Sequence, residues 1–151
     1  MTSDGTDGRT TFEWCGEVTS AEVNTLHAEA FSTRVFTDEE WDWRALLDRH
    51  SLGWVTARDA SGALVGFANV VSDGLVHAWV QDVMVAAGAR RRGIATRVVA
   101  EVRDGAARAG CEYLHVDFDD ELRDFYWGAC GFTPTNAGLL ELQQPGQQSA
   151  Q

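Results

Sequence analysis

The sequence predicts a mixed α/β domain on a largely antiparallel sheet. Three strand-like segments between Leu52 and Val85 are separated by short Asp/Gly turns. A strongly periodic helix follows the last of them, and another strand-like segment follows that helix. A strand–helix–strand unit needs a crossover, so the strands on either side of this helix should run parallel.

The elements follow in order. Thr11 to Val18 carries a weak strand pattern. Thr19 to Glu22 reads as a capping box: the Thr hydroxyl accepts the third helical N–H and the Glu reaches back. Val18 and Val23 form its hydrophobic staple, which predicts a helix over Ser20 to Phe31. Thr37 to Glu40 repeats the device, with Phe36 and Trp41 as staple, and predicts a second helix over Asp38 to His50. Strands are expected at Leu52 to Ala57, Ala63 to Val71 and Leu75 to Val85, joined by turns at Asp59–Gly62 and Ser72–Gly74. Ile94, Val98, Val102 and Ala106 then fall on one helical face, and Gly110 stops that helix. Tyr113 to Val116 reads as a strand, Glu121 to Cys130 as a helix ended by Gly131, and Phe132 and Leu139 to Leu142 as two last strands. The order is β α α β β β α β α β β, about seven strands and four helices in one domain over 11–143, with flexible tails at 1–10 and 144–151.

Bulk properties narrow the function. The chain has 151 residues with 44% hydrophobic and 23% charged, an ordinary globular balance. No apolar run reaches the roughly 20 residues of a membrane helix, and no basic-then-apolar leader opens the chain. The net charge of −11 argues against nucleic acid and anionic membrane as partners and favours cations. Cys15, Cys111 and Cys130 are an odd number without CxxC spacing, which argues against a disulfide framework and a zinc site. The expectation is a cytoplasmic protein with reduced thiols and no metal.

The segment Val83-Met84-Val85-Ala86-Ala87-Gly88-Ala89-Arg90-Arg91-Arg92-Gly93-Ile94-Ala95-Thr96 carries the chemistry. A strand ends and a helix begins with no Ser, Thr, Asp or Asn at its entry to cap the free N–H groups. Three arginines and a glycine stand there instead, although positive charge at a helix N-terminus opposes the macrodipole. A diphosphate would accept the free N–H bonds and pair with the arginines. A solvated surface loop is the alternative for an isolated run of this kind.

The register decides between them. Arg90-Arg91-Arg92-Gly93-Ile94-Ala95 after a strand ending V-x-V resembles the acyl-CoA signature R/Q-x-x-G-x-G/A of the GNAT superfamily of acyl-CoA-dependent N-acetyltransferases. Phe125-Tyr126 with Gly131-Phe132 is similar to the family's second hallmark, F-Y-x-x-x-G-F. The resemblance covers about Ser20 to Leu142. Its fold implies a V-shaped splay between the fourth and fifth strands, where the pantetheine arm enters.

The resemblance implies roles. Tyr126 would give a proton to the leaving thiolate and touch the cofactor. The backbone of Val83, Met84 and Val85 would bind the pantetheine amides and the acetyl carbonyl. Arg91, Arg92, Gly93, Ile94, Ala95 and Thr96 would hold the pyrophosphate, with Arg90 supporting it or reaching the adenosine 3′-phosphate. Asp119 stands where many members carry an Asn that contacts the cofactor. The acids Asp117, Asp119, Asp120 and Glu121 would face a cationic acceptor or simply charge a helix start. A general base is sought on the fourth strand and its neighbour, among Asp82, His77 and Asp117. Simple alternation puts His77, Trp79, Gln81 and Val83 on one face and Ala78, Val80, Asp82 and Met84 on the other, a register that a bulge would shift; Asp82 is the chosen base, and a base acting through ordered water is the alternative. Trp41 and Trp43 are core residues or a wall of the acceptor pocket.

The implied activity is acetyl transfer from acetyl-CoA to a primary amine of a small molecule, by direct attack in a ternary complex. A protein or peptide acceptor and a non-catalytic CoA-binding module are the competing expectations. A homodimer is possible by analogy.

Overall fold

The computed structural model describes residues 9–143. Of the expected tails at 1–10 and 144–151, residues 1–8 and 144–151 lie outside the described residues. A five-stranded sheet is formed by β1 (Thr11–Trp14), β2 (Ser51–Arg58), β3 (Leu64–Ser72), β4 (His77–Val85) and β5 (Tyr113–His115), in that spatial order. The first three pairings are antiparallel and β4–β5 is parallel, as the crossover requires. The helices are α1 (Ser20–Phe31), α2 (Trp43–His50) and α3 (Ile94–Arg108). A 3-10 turn (Asp120–Leu122) and a π-helical segment (Asp124–Ala129) follow β5.

Both capping boxes form, with different consequences. At α1, Thr19 Oγ1 accepts from the Glu22 N–H at 3.1 Å and Glu22 Oε1 accepts from the Thr19 N–H at 3.0 Å. At Thr37 the same reciprocal pair closes, and Phe36 stacks on Trp41 with centroids 4.8 Å apart. The second box caps a single turn only. The chain restarts at Asp42, which caps α2 by accepting from the Ala45 N–H at 3.0 Å. The helix expected from Asp38 therefore begins at Trp43, because the Asp42 carboxylate competes for the helix start.

The sheet divides two cores. On one face α3 lays Ile94, Val98, Val102 and Ala106 against Val55, Ala57, Val65, Ala68, Val70, Ala78 and Val80. Each fully buried Val or Ile contributes about 1.5–3 kcal/mol, so this stripe fixes where the α3 entry sits. On the other face Val23 and Leu26 of α1 and Trp43 and Leu47 of α2 pack on Phe67 and Met84. Trp14 lies directly over Gly53 of β2 and Gly105 of α3, so the sheet edge and the helix meet with an indole between them.

Two further expectations fail. The last two strands do not form among the described residues: the chain after Gly131 is irregular, and Leu139, Leu140 and Leu142 are exposed. A strand needs a partner for its ladder, and these residues have none in the described sheet. The helix expected from Glu121 is broken into the 3-10 turn and the π-helical segment, where the Phe125 carbonyl accepts from the Cys130 N–H at 2.9 Å.

Candidate functional site

The β4–β5 pairing covers only His77, Ala78 and Trp79 against Tyr113, Leu114 and His115. Beyond it the two strands share no ladder, so the β4 edge from Val80 to Val85 faces a gap. This is the splay that the resemblance implies. Val83 and Val85 are half-buried and Met84 is fully buried, which leaves their backbone edge toward the gap.

Inside that stretch β4 carries a bulge. Phe67 pairs with Met84 and Asn69 with Gln81, so Ala68 alone spans Asp82 and Val83. Asp82 takes φ +57°, an uncommon conformation for a residue with a Cβ. The bulge overturns the simple alternation. Ala78 and Val80 belong to the α3 core, as does Val83, whereas Met84 packs with α1 and α2. Asp82 and Met84 thus leave the face of Ala78 and Val80, because the extra residue reverses the pleat.

The Asp82 carboxyl is half-buried, and desolvation pushes its pKa above the ordinary carboxylate range. His27 of α1 and the Asn69 amide oppose that rise. Burial holds the His27 imidazole below its usual pKa, with the Asp82 charge working the other way. His27 sits among Phe31, Phe36, Trp41 and Trp43, with ring centroids 4.9–6.3 Å away, and its Nδ1 is buried without a partner. Sequence reasoning missed His27 and Asn69, which carry no local signature: each reads as an ordinary helix or strand residue until α1 is laid on β3 and β4.

The α3 entry is bare. Gly93 is the N-cap residue at φ +76° and no side chain caps the helix. Arg91 also takes a left-handed conformation, at φ +67°. Arg90, Arg91, Arg92 and Gly93 are all exposed, and a Cβ built on Gly93 would meet nothing within 4 Å. Turned-in backbone of this kind presents successive N–H groups to an anion. Ile94 anchors the first turn in the core, while Ala95 and Thr96 are half-buried beside it. Arg90 Nη2 lies 3.4 Å from the Ala30 carbonyl at the end of α1. The residues fit a diphosphate: free donors, positive charge and open space coincide.

Tyr126 lies in the π-helical segment, 6% exposed, stacked on Phe118 at 4.7 Å and edge-on to Phe125 and Phe132. Burial pushes its pKa up to about 12. It therefore stays protonated and available as a donor at any physiological pH. Asp119 precedes the 3-10 turn, where its backbone carbonyl accepts from the Leu122 N–H at 2.8 Å and its exposed side chain makes no capping bond. Asp117 is exposed beyond the end of β5.

Several remaining candidates have structural work. Trp43 is buried and gives its indole N–H to Asn24 at 2.9 Å, a core role. Glu40 is held at a pKa of about 2 by Arg34 and the Thr37 backbone. His77 Nδ1 and His115 Nε2 lie 2.8 Å apart, so His77 is occupied with its neighbour. A separate groove lined by Glu13, Cys15, Glu22, Arg44 and Arg58 lies at the opposite end of α1 and contains none of these residues.

Known proteins share this fold. The rice (Oryza sativa subsp. japonica) protein named "Probable glucosamine 6-phosphate N-acetyltransferase 2" is 45% identical over 53 residues, 35% of this chain and 31% of the relative, so the match spans under a third of that protein's length. The structure of the aminoglycoside N-acetyltransferase AAC(6′)-Iy in complex with CoA superposes with TM-score 0.72 at 17% identity, over 93% of this chain and 98% of that one. Glucosamine-6-phosphate N-acetyltransferase from Arabidopsis thaliana superposes with TM-score 0.66 at 21% identity, over 87% and 97%. At these identities the two structures establish the fold. The model of the acetyltransferase (GNAT) family matches residues 19–132, a span that includes the splay, the bare α3 entry and Tyr126, and the chain belongs to that family.

Proposed function

We propose that this chain moves acetyl from acetyl-CoA to the primary amine of a small cationic molecule, by direct attack in a ternary complex. The observation that carries this reading is the placement of three things along one stretch of chain at the end of β4: the bare, arginine-flanked α3 entry, the unpaired β4 edge, and a desolvated carboxyl at the β4 bulge.

Arg90, Arg91 and Arg92 and the N–H groups from Gly93 to Thr96 hold the diphosphate, and the edge of Val83 to Val85 holds the pantetheine arm and the thioester carbonyl. Asp82 takes one proton from the acceptor ammonium. Its raised pKa makes it a better base than an exposed carboxylate. The freed amine forms the C–N bond, the carbonyl oxygen gathers charge against backbone N–H groups, and the C–S bond breaks. Tyr126 hydrogen-bonds the departing sulfur. Its pKa of about 12 lies some three units above an ordinary thiol, so it steadies the thiolate until the second nitrogen proton reaches the sulfur.

The net charge of −11 supports a cationic acceptor. No helix among the described residues is long and apolar enough to cross a membrane. With three free cysteines we place the reaction in the reducing cytoplasm.

The test is thiol release from acetyl-CoA across a panel of amines, amino sugars and short peptides, beside calorimetry of acetyl-CoA binding. Turnover with a small amine and a raised dissociation constant when Arg90, Arg91 and Arg92 become Ala are expected. An unaltered dissociation constant refutes the diphosphate cradle, and binding without turnover favours a CoA-binding module.

A further inference from the structure

We infer that Ser51 and Asn69 are positioning residues for the base: the Ser51 hydroxyl decides which end of the Asn69 amide meets the Asp82 carboxyl, and so whether that carboxyl is ready to take a proton from the acceptor. The inference rests on the acetyltransferase reading above, in which Asp82 is the base, and adds the two residues that hold it in its working state.

Two bulges bring the three side chains to one face of the sheet. In β2, Val55 and Ala57 belong to the α3 core, whereas Trp54 packs with α1 and α2. Alternation from Trp54 would send Leu52 to the α1–α2 side and Ser51 to the α3 side. The register slips between Ser51 and Gly53, and Leu52 packs against the α3 core instead. Ser51 is thereby turned to the α1–α2 side. Asn69 of β3 already lies on that side, between Ala68 and Val70 of the α3 core. The β4 bulge takes Asp82 off the face of Ala78 and Val80 in the same way. Asn69 pairs with Trp54 on one flank and Gln81 on the other, so it stands between the two bulges.

The amide has one orientation that suits an ionised base. Asn69 is 2% exposed, and Ser51 Oγ donates to its Oδ1. Its NH2 end is left for Asp82, whose carboxyl is hydrogen-bonded by the Asn69 side chain. An ionised carboxylate only accepts, an amide accepts at one end and donates at the other, and a serine hydroxyl does either. Ionised Asp82 must therefore meet the NH2, and Ser51 supplies the donor that the buried amide oxygen then needs. The hydroxyl also serves the other state. Once Asp82 has taken a proton, its O–H donates to Oδ1 of an amide that has turned over, and Ser51 accepts from the NH2. Without a hydroxyl at residue 51 the amide oxygen is satisfied only when it faces a protonated carboxyl. Ser51→Ala thus favours the form of Asp82 that cannot act as a base. His27 of α1 is the titratable group among the described residues whose charge reaches this carboxyl, and it is kept in every variant of the test.

The experiment follows kcat/KM for a small primary amine against pH in the wild-type protein, Ser51→Ala, Ser51→Thr, Asn69→Leu and the Ser51→Ala/Asn69→Leu pair, with melting temperatures to confirm folding. Taking the ratio of variant to wild type at each pH cancels the titration of the amine itself. For Ser51→Ala that ratio should fall by about three- to tenfold on the acid limb and return to within about twofold at high pH, the size expected for one lost hydrogen bond. Ser51→Thr keeps the hydroxyl and should keep the wild-type profile. Asn69→Leu should move the limb further in the same direction, and adding Ser51→Ala to it should change nothing more, because Ser51 acts through Asn69. A ratio that is flat across pH, a Ser51→Thr profile that follows Ser51→Ala, or a Ser51→Ala effect that persists beside Asn69→Leu overturns the proposal. If no amine is acetylated, the acetyltransfer reading fails separately. Carbon-13 NMR titration of the Asp82 carboxyl then decides the network: a midpoint moved upward in Ser51→Ala supports it, and an unmoved midpoint overturns it.

Discussion

Glu29, near the end of α1, accepts a 2.6 Å hydrogen bond from the backbone N–H of Ala87, in the loop that leads from β4 to the bare α3 entry. One helix thus holds the loop on which the arginines sit, at the end of the helix where the Ala30 carbonyl also meets Arg90. Replacing Glu29 by Ala removes the acceptor and frees the loop. Because a charge-assisted bond of this kind contributes about 1.5–3 kcal/mol, KM for acetyl-CoA should rise several-fold while kcat changes less. Steady-state kinetics with acetyl-CoA varied checks it, and an unmoved KM contradicts it.

Tyr126→Phe keeps the stack on Phe118 and removes only the hydroxyl. Loss of a positioned proton donor lowers rates by about 10²–10⁴; the low end is expected, since this hydroxyl steadies the sulfur more than it protonates it. Acetyl-CoA binding should be unchanged by calorimetry. With a pKa pushed up to about 12, Tyr126 should produce no alkaline fall in rate below pH 10.

Asp82 acts as a base in its ionised form, so activity should rise with pH through its folded-state pKa, above the usual carboxylate value. His27→Leu removes a group that lowers that pKa and should move the acid limb upward. Stability takes the opposite sign. A carboxyl whose pKa is raised by folding stabilises the fold while protonated, and that contribution is lost as pH rises through the folded pKa. Asp82→Asn should therefore melt higher than the parent at neutral pH while losing most of its kcat. A lower melting temperature with retained kcat would refute both roles.

Gly93→Ala tests the α3 entry. The new methyl group meets nothing within 4 Å, so its cost comes from the φ of +76° alone. About 1 kcal/mol is expected, a fall in melting temperature of roughly 2–4 °C, together with weaker acetyl-CoA binding.

Gly105→Ala has a sign that helix propensity gets wrong. Ala should stabilise a helix interior by about 1 kcal/mol over Gly. Here the added Cβ would overlap the Trp14 ring, and overpacking of this kind costs about 1–3 kcal/mol. Thermal melting should show a net loss, and Trp14→Leu in the same chain should restore the ordinary preference.

Much of the site was legible because its signals are local. The Thr19 box fixed the start of α1 to the residue, and the missing cap at Gly93 was visible as an absence of Ser, Thr, Asp and Asn. The Thr37 box misled on length, since capping chemistry starts a turn but does not say how far it runs. Leu139 to Leu142 misled for a related reason: an apolar, strand-like segment forms a strand only where a partner edge receives it. The bulge at Asp82 has no sequence signal, because its left-handed residue is not a glycine.

The sequence by itself determined the element order through β5, the bare arginine-flanked helix entry and the Tyr126 motif, all of which depend on residues within a turn or two of each other. Only the tertiary structure decided which face Asp82 uses and that His27 and Asn69 tune it. Those facts depend on a one-residue slip between β3 and β4 and on where α1 comes to rest. Such long-range placement is set by the packing of whole elements, which no local pattern encodes.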